Sequence, residues 1–494
     1  MTEIVGAVEV GTRSDLPGLL AAQRKAFLDA GPAGVAVRRN RIDRLMAMIL
    51  DNSEEFITAT AADYGSRSRS AAFFAEILGM ISVIEHTRAQ LPRWMKATRL
   101  MRIGRMAGLR AEVVPSPLGV VGIIGPWNFP VQLTVLPAAT AFAAGNRVMI
   151  KMSEVTSRTA EVMAALAPRY FETNELAVVT GGAEVAAEFS GLPFDHLFFT
   201  GSPGVGELVQ RAAAANLVPV TLELGGKNPV VVAPDADVDR AAVRIAQGRM
   251  VNGGQVCVCP DYVFVPERKV EQFVVAARRT FGAMFPTIID NPDYCSSVNQ
   301  ANYERVVGLI TDARERGARI DSVSPDGERL PDPMSRKIAP TIVRDVDDSM
   351  RIATEEVFGP VMVVRGYSSL TQVIDHINAN PSPLVAYWFG ADGADFRHFV
   401  DHTRSGGVAR NDFAAHMIPS SAPFGGVGRS GMGAYHGKAG FDTFSHFRTV
   451  VGTDLPFSIT GRAALPFTGS MRVSADLALR RARSRTAGRL KKFR

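Results

Sequence analysis

Between residues 35 and 64 the apolar side chains Ile42, Leu45, Met46, Ile49 and Leu50 recur every three or four positions, and residues 73–91 repeat the pattern. That is the spacing of one helix face, so the first hundred residues are predicted helical. After Arg110 the texture changes. Short apolar runs at 118–124, 147–151, 196–199 and 229–232 alternate with Ala-rich helical patterns at 137–144, 157–165 and 205–215. Strands separated by crossover helices predict a doubly wound α/β layer. A second alternation follows Glu223, with helices expected at 238–251, 270–281, 302–317 and 369–378. Residues 222–229 form the expected crossing between two α/β domains, and the segment after Pro456 loses the rhythm.

One apolar stretch is long enough to raise the question of a membrane span: no charged residue occurs from Val113 to Asn146. It holds Pro115, Pro117, Pro126, Pro130 and Pro137 together with Gly119, Gly122 and Gly125, a density of breakers that excludes a spanning helix. Buried strands and turns are expected there instead.

Composition adds limits. The 494 residues, 46% hydrophobic and 21% charged, suit a globular chain of several domains. Three cysteines cannot make a disulfide framework, and a reducing, cytoplasmic setting is expected. Glu3 and Glu9 near the N-terminus do not fit an export signal. The net charge of +6 is misleading, because eight Lys or Arg and no acid occur from Arg480 to Arg494, leaving −2 for the rest. Nucleic-acid binding by the body is thereby excluded. The tail reads as a solvated element or as a contact for an anionic membrane surface.

Several motifs could carry chemistry. In Asn252-Gly253-Gly254-Gln255-Val256-Cys257 a cysteine follows residues that allow close backbone approach; it is either a nucleophile or a small buried hydrophobe. Glu223 opens Glu223-Leu224-Gly225-Gly226-Lys227-Asn228-Pro229 at the end of an apolar strand pattern. It is either salt-bridged, to a residue such as Lys227, or a general base toward water that attacks a thioester. Asn128, in Gly125-Pro126-Trp127-Asn128-Phe129-Pro130, either caps a local turn or donates to an oxyanion.

Phe199-Thr200-Gly201-Ser202-Pro203-Gly204-Val205-Gly206 follows a strand and opens a helix, with Ser202 placed to cap it and Pro203 in its first turn. Such a helix start suits phosphate, although a simple glycine turn explains it equally well. Lys151 and Glu154 follow a strand within reach of ribose hydroxyls, or lie in a solvated loop. Glu355-Glu356-Val357-Phe358-Gly359-Pro360 and Pro423-Phe424-Gly425-Gly426-Val427-Gly428 join aromatics to tight turns. No His/Cys/Asp cluster has metal spacing, so no metal is expected.

In this order the motifs resemble the aldehyde dehydrogenase family, over roughly residues 38–450. The stretch 428–446 resembles the class 3 branch, and Ala62-Asp63-Tyr64-Gly65-Ser66-Arg67-Ser68 with Arg93-Trp94-Met95 is similar to coniferyl aldehyde dehydrogenases. The resemblance implies an α/β fold with a Rossmann-like cofactor domain (1–99 and 117–222), an α/β catalytic domain (223–425), a small bridging β element (100–116 and 426–455) and a peripheral basic tail (456–494). It implies that Cys257 is the nucleophile, Asn128 the oxyanion donor and Glu223 the activator of water.

Lys151 and Glu154 would then address the adenosine ribose, Ser202 the pyrophosphate, and Glu356 with Phe358 the nicotinamide ribose and ring, with Trp127, Gly201 and Gly206 also among the cofactor-binding residues. NAD is favoured, because a carboxylate at Glu154 accepts ribose hydroxyls and repels a 2′-phosphate, while class 3 members can also take NADP. The expected activity is oxidation of an aldehyde, aromatic such as coniferaldehyde or medium to long aliphatic, to the acid. A coenzyme A-acylating enzyme and a non-catalytic protein on the same fold are the alternatives, and a homodimer is implied. Met152, Pro203 and Cys259 depart from the usual Pro, Thr and Ala of the resemblance.

Overall fold

The computed structural model of the protein describes residues 15–100, 108–456, 458 and 469–491. Glu3 and Glu9, residues 101–107 of the expected bridging element, and Lys492 and Arg494 of the basic tail lie outside the described residues. The chain divides into two units, Met1–Met95 with Pro115–His446 and Lys96–Val114 with Phe447–Arg494.

The strands, in chain order, are β1 (Thr98–Arg99), β2 (Leu109–Pro117), β3 (Val120–Ile124), β4 (Arg147–Lys151), β5 (Leu176–Val179), β6 (His196–Gly201), β7 (Val220–Leu224), β8 (Asn228–Val232), β9 (Pro260–Pro266), β10 (Arg319–Ser322), β11 (Thr341–Arg344), β12 (Val361–Tyr367), β13 (Val385–Phe389), β14 (Gly407–Arg410), β15 (Gly431–Met432) and β16 (Ser445–Thr453). In the larger unit they form two sheets, ordered β15-β7-β6-β3-β4-β5 and β10-β11-β12-β9-β8-β13-β14. Every pairing within these is parallel except those of the edge strands β15 and β10. The central strands β3, β4, β8 and β13 are buried throughout, as parallel strands covered on both faces must be. β7 lies in the first sheet and β8 in the second, with three residues between them.

The second half of the uncharged run is not strand and turn but the helix expected at 137–144, which begins five residues earlier. Residues Gln132–Ala144 form a helix with Pro137 inside it, buried from Leu133 onward. A helix enclosed on all sides needs no polar face, so the absence of charge reflects its place in the core. Its free N-terminal amides are met by one buried acid: Val131 N and Gln132 N donate to Glu76 Oε2 at 3.1 and 3.0 Å. At its other end Gly145 takes the left-handed conformation (φ 96°), and Asn146 receives the amides of Leu118 and Gly119 at 2.8 and 3.0 Å.

Glu76 itself sits in a π-helical turn, Phe73–Leu78, inside the expected second helix, and the first expected helix breaks at Asn52 into Val35–Asp51 and Ser53–Tyr64. Residues 426–446, expected in the bridging element, instead belong to the larger unit: Gly431 and Met432 pair with Glu223 and Leu222 of β7. In the smaller unit, β1 pairs antiparallel with β2, and the order of its sheet is β1-β2-β16. The helix Gly469–Leu490 carries most of the basic tail. Its apolar Val473, Leu477, Leu479 and Leu490 are all exposed. Among the described residues no helix is long and apolar enough to cross a membrane.

Candidate active site

In the six-stranded sheet the chain lays β4 and β5 to one side of β3, then returns to lay β6 and β7 on the other. The crevice at such a reversal, beyond the carboxyl ends of the strands, is where doubly wound sheets bind ligands. A cleft of about 820 Å³ opens there, lined at the carboxyl ends of the strands by Ile124 and Gly125 at β3, Lys151 at β4, and Thr200 and Gly201 at β6. Asn128, Glu223 and Cys257 line this same cleft, as do Trp127, Glu154, Ser202, Glu356 and Phe358. Gly206 does not. It faces Leu224, whose side chain would lie 2.7 Å from a Cβ at that position, so this glycine lets the helix Pro203–Ala214 sit close on β7.

Backbone conformation places the cysteine. After the helix Val238–Met250 the chain turns through three left-handed residues, Asn252 (φ 50°), Gly253 (φ 63°) and Gly254 (φ 77°). A Cβ at Gly254 would stand 2.1 Å from the carbonyl oxygen of Gly359, so only glycine lets this loop seat against the Phe358–Gly359 turn. Asn228 then fixes the following strand of chain, donating from Nδ2 to the carbonyls of Cys257 at 2.7 Å and Cys259 at 3.0 Å while accepting from Val385 N at 3.0 Å. Both thiols are free. The Cys259 Sγ is turned to the carbonyls of Gly248 and Arg249, each at 3.5 Å.

Glu223 is not salt-bridged to Lys227. Lys227 is bound to Asp261 and donates to the carbonyls of Ile352 and Glu355 at 2.9 and 3.1 Å. Both carboxyl oxygens of Glu223 are buried and without a hydrogen-bond partner, and burial raises its carboxyl well above the ordinary carboxylate range. Burial, then the nearby charges of Glu356 and Glu223, push the Cys257 thiol up to about 12. Glu356 is raised to about 8 by burial and by Asp261, against the opposing pull of the Gly226 amide and Lys227. Its main chain is held by Arg305, which donates to the carbonyls of Glu356 and Val357 at 3.0 and 2.7 Å.

Asn128 does not cap its own turn. Its Nδ2 donates to the carbonyl of Gln255, two residues before Cys257, at 3.2 Å, so the amide and the cysteine loop share one anchor. On the opposite arm the buried Lys151 ammonium donates to Met152 O at 2.7 Å and lies 3.4 Å from the half-exposed Glu154, with burial lowering its proton affinity. Ser202 caps the helix Pro203–Ala214, accepting from Val205 N. Trp127 and Phe358, both lining the cleft, meet edge to face with ring centroids 5.3 Å apart.

Sequence reasoning missed Asn302, Arg305, Leu384 and Tyr435 as cleft residues. Nothing local marks Asn302 and Arg305, which lie on the helix Gln300–Glu315. Among the described residues no His/Cys/Asp/Glu group could hold a metal.

The aldehyde dehydrogenase family model matches residues 1–450. The chain belongs to the aldehyde dehydrogenase family. It is 44% identical over 447 residues to coniferyl aldehyde dehydrogenase of a Pseudomonas species, covering 90% of this chain and 91% of that one. It is 37% identical to the dimeric NADP-preferring aldehyde dehydrogenase of Rattus norvegicus, covering 86% and 92%. Among solved structures, the substrate-bound state of Staphylococcus aureus AldH matches with a TM-score of 0.86 at 32% identity, covering 94% of this chain and all of that one. The Mycobacterium tuberculosis aldehyde dehydrogenase complexed with NAD+ matches with a TM-score of 0.79 at 26% identity, covering 90% and 91%. As a family member the chain is an NAD(P)-dependent aldehyde oxidoreductase.

Proposed function

We propose that this enzyme oxidises an aromatic aldehyde of the coniferaldehyde type, or a medium to long aliphatic aldehyde, to the carboxylic acid, with NAD as the favoured cofactor. The observation that carries this reading is the convergence of Cys257, Asn128 and an unpartnered, buried Glu223 on one cleft. The Pseudomonas relative named for coniferyl aldehyde supports the aromatic substrate.

The residues fit the cofactor. The cleft lies at the reversal of the parallel sheet, a capped helix start faces it, and the carboxylate of Glu154 lines it beside Lys151. Lys151 and Glu154 would hold the adenosine ribose, Ser202 with Trp127 and Gly201 the pyrophosphate, and Glu356 with Phe358 the nicotinamide ribose and ring. NAD, when bound, supplies the hydride acceptor. The rat relative's preference for NADP makes the second cofactor worth testing beside the first.

This chain's residues do the rest. The Cys257 sulfur adds to the aldehyde carbon, and the oxygen, now an anion, receives the Asn128 amide and the Cys257 backbone N–H. Loss of hydride from that carbon leaves a thioester on Cys257. Glu223 takes a proton from water as its oxygen attacks the thioester, and the thiolate leaves as the acid departs. A carboxylate placed to activate water favours hydrolysis over transfer to coenzyme A, and the retained trio argues against a non-catalytic protein.

The first sheet with its helices is assigned as the cofactor layer, the seven-stranded sheet as the catalytic layer and the three-stranded sheet as the bridging element. A homodimer is the expected assembly, supported by the rat relative's name, in a cytoplasmic setting. The basic tail is assigned as solvated, with contact to anionic lipid as its alternative.

The test is NADH appearance across a panel from coniferaldehyde and benzaldehyde to hexanal and dodecanal, with wild type and Glu223→Gln. Wild type is expected to favour the aromatic members. The variant is expected to release a burst of NADH and then turn over slowly; an unchanged steady state would remove Glu223 from the mechanism.

A further inference from the structure

Asn128 reaches the cleft from the turn that joins β3 to the buried helix Gln132–Ala144, and its side chain is tethered at one point, the Gln255 carbonyl. The position of its amide is therefore governed by the backbone beneath it. That backbone is clamped from outside the cleft by one group of side chains. Arg67 Nη2 donates to the Asn128 carbonyl at 3.1 Å, and the Tyr64 hydroxyl lies 3.3 Å from the carbonyls of Trp127 and Asn128. Arg67 also pairs with Glu76 at 3.0 Å, and Glu76 receives the amides of Val131 and Gln132. The guanidinium lies over the rings of Tyr64 and Phe129, 4.8 and 5.4 Å from their centroids.

One ion pair thus grips the turn at both ends, the carbonyl of Asn128 through Arg67 and the amides of Val131 and Gln132 through Glu76, while Tyr64 adds a contact to the carbonyls of residues 127 and 128 and Asn252 Nδ2 donates to Asn128 O at 3.3 Å. Its two side chains are only 3% and 1% exposed, and neither lines the cleft. Buried pairs of this kind are often no more stabilising than well-packed apolar residues, so stability alone is a weak reason to keep one. Geometry is a stronger one: a displacement of about 1 Å at a reacting centre costs on the order of 100-fold in rate. Glu76 comes from the π-helical turn Phe73–Leu78, an irregularity that rotates one residue out of helical register and recurs at functional sites.

We infer that the buried Arg67–Glu76 pair is a positioning device that holds the Asn128 amide where the substrate oxygen becomes an anion. The inference rests on the reading of Asn128 as oxyanion donor. Arg67 and Glu76 are positioning residues: they act on the aldehyde only through Asn128.

The experiment is a double-mutant cycle on the burst rate of NADH formation, at saturating NAD and an aldehyde the wild type turns over. Asn128→Ala alone is expected to slow the burst on the order of 100-fold. Arg67→Lys keeps the charge but cannot bridge Glu76 and the Asn128 carbonyl together; it is expected to slow the burst roughly 10- to 100-fold with NAD affinity unchanged. Added to Asn128→Ala, Arg67→Lys is expected to cost less than about 3-fold more, because the group it positions is gone. A purely structural role would impose the same factor in both backgrounds, and that result, or an unaltered burst in Arg67→Lys alone, overturns the inference. An unaltered burst in Asn128→Ala refutes the oxyanion reading and the inference with it. Should Arg67→Lys fail to fold, Arg67→Met/Glu76→Leu removes both charges without stranding either, and the same comparison applies.

Discussion

Alkylation of the cofactor-free enzyme puts the state of Cys257 to a direct test. With its thiol pushed from 9.0 to about 12, the thiolate fraction at pH 8 is about 10⁻⁴, against about 10⁻¹ for an ordinary thiol. Higher basicity makes each thiolate more nucleophilic; a Brønsted coefficient of about 0.45 over three units returns roughly 20-fold of that 1000-fold deficit. Iodoacetamide should therefore modify Cys257 about 50-fold more slowly at pH 8 than a free thiol of ordinary pKa. The assay uses a variant with Cys259→Ser and Cys295→Ser, read by intact mass. The rate should climb about tenfold per pH unit from pH 7 to 11 without a plateau. Because the Glu356 charge is the second cause of the shift after burial, Glu356→Gln should accelerate alkylation at pH 9. A plateau below about pH 9, or slower alkylation in Glu356→Gln, would refute the account of a desolvated, charge-opposed thiol.

Two further predictions concern stability and backbone. The Glu356 carboxyl is raised from 4.5 to about 8 in the folded protein, so folding favours its protonated form. The wild type therefore loses stability as pH rises from about 4.5 to about 8, by at most about 5 kcal/mol. Relative to the wild type, Glu356→Gln should gain about 3 kcal/mol between pH 5.5 and 8.5 in urea denaturation without cofactor; a gap independent of pH would refute it. Gly254→Ala should abolish activity, since its methyl would stand 2.1 Å from the Gly359 carbonyl at φ 77°, and full kcat in a folded variant would show that the loop can move aside.

Where burial and local pattern decide the conformation, the sequence is readable. The four runs at 118–124, 147–151, 196–199 and 229–232 fall on β3, β4, β6 and β8, because a parallel strand covered on both faces reads as a near-continuous apolar run. Ser202 and Pro203 mark a helix start for chemical reasons that need no tertiary partner. The 137–144 pattern marks the body of the helix Gln132–Ala144 but not its first five residues, because its N-terminal amides are satisfied by Glu76, 55 and 56 positions away, where no local cap could announce them. The Arg67 clamp is likewise invisible, its partner carbonyl being 61 residues distant. Lys227 looked like the partner of Glu223 because it is near in sequence; folding gives it to Asp261 instead and leaves the carboxyl bare. The motif residues of the cleft were legible as a set, and only Gly206 among them faces away from it.

That bare carboxyl has a chemical consequence. A general base works best when its pKa lies near the operating pH, and an ordinary carboxylate lies well below that. Burial without hydrogen-bond donors moves Glu223 in the useful direction, while a salt bridge to Lys227 would have moved it the other way. The same desolvation that strengthens the base also disarms Cys257, so the cleft cannot favour both ionised groups at once. On the proposed mechanism the two roles are separated in time, since Cys257 would be a thiolate when it attacks and a thioester, carrying no charge, when Glu223 acts. Asp261 binds Lys227, the lysine nearest Glu223 in sequence, and by accepting from Val357 N at 2.9 Å it holds the turn that carries Glu356.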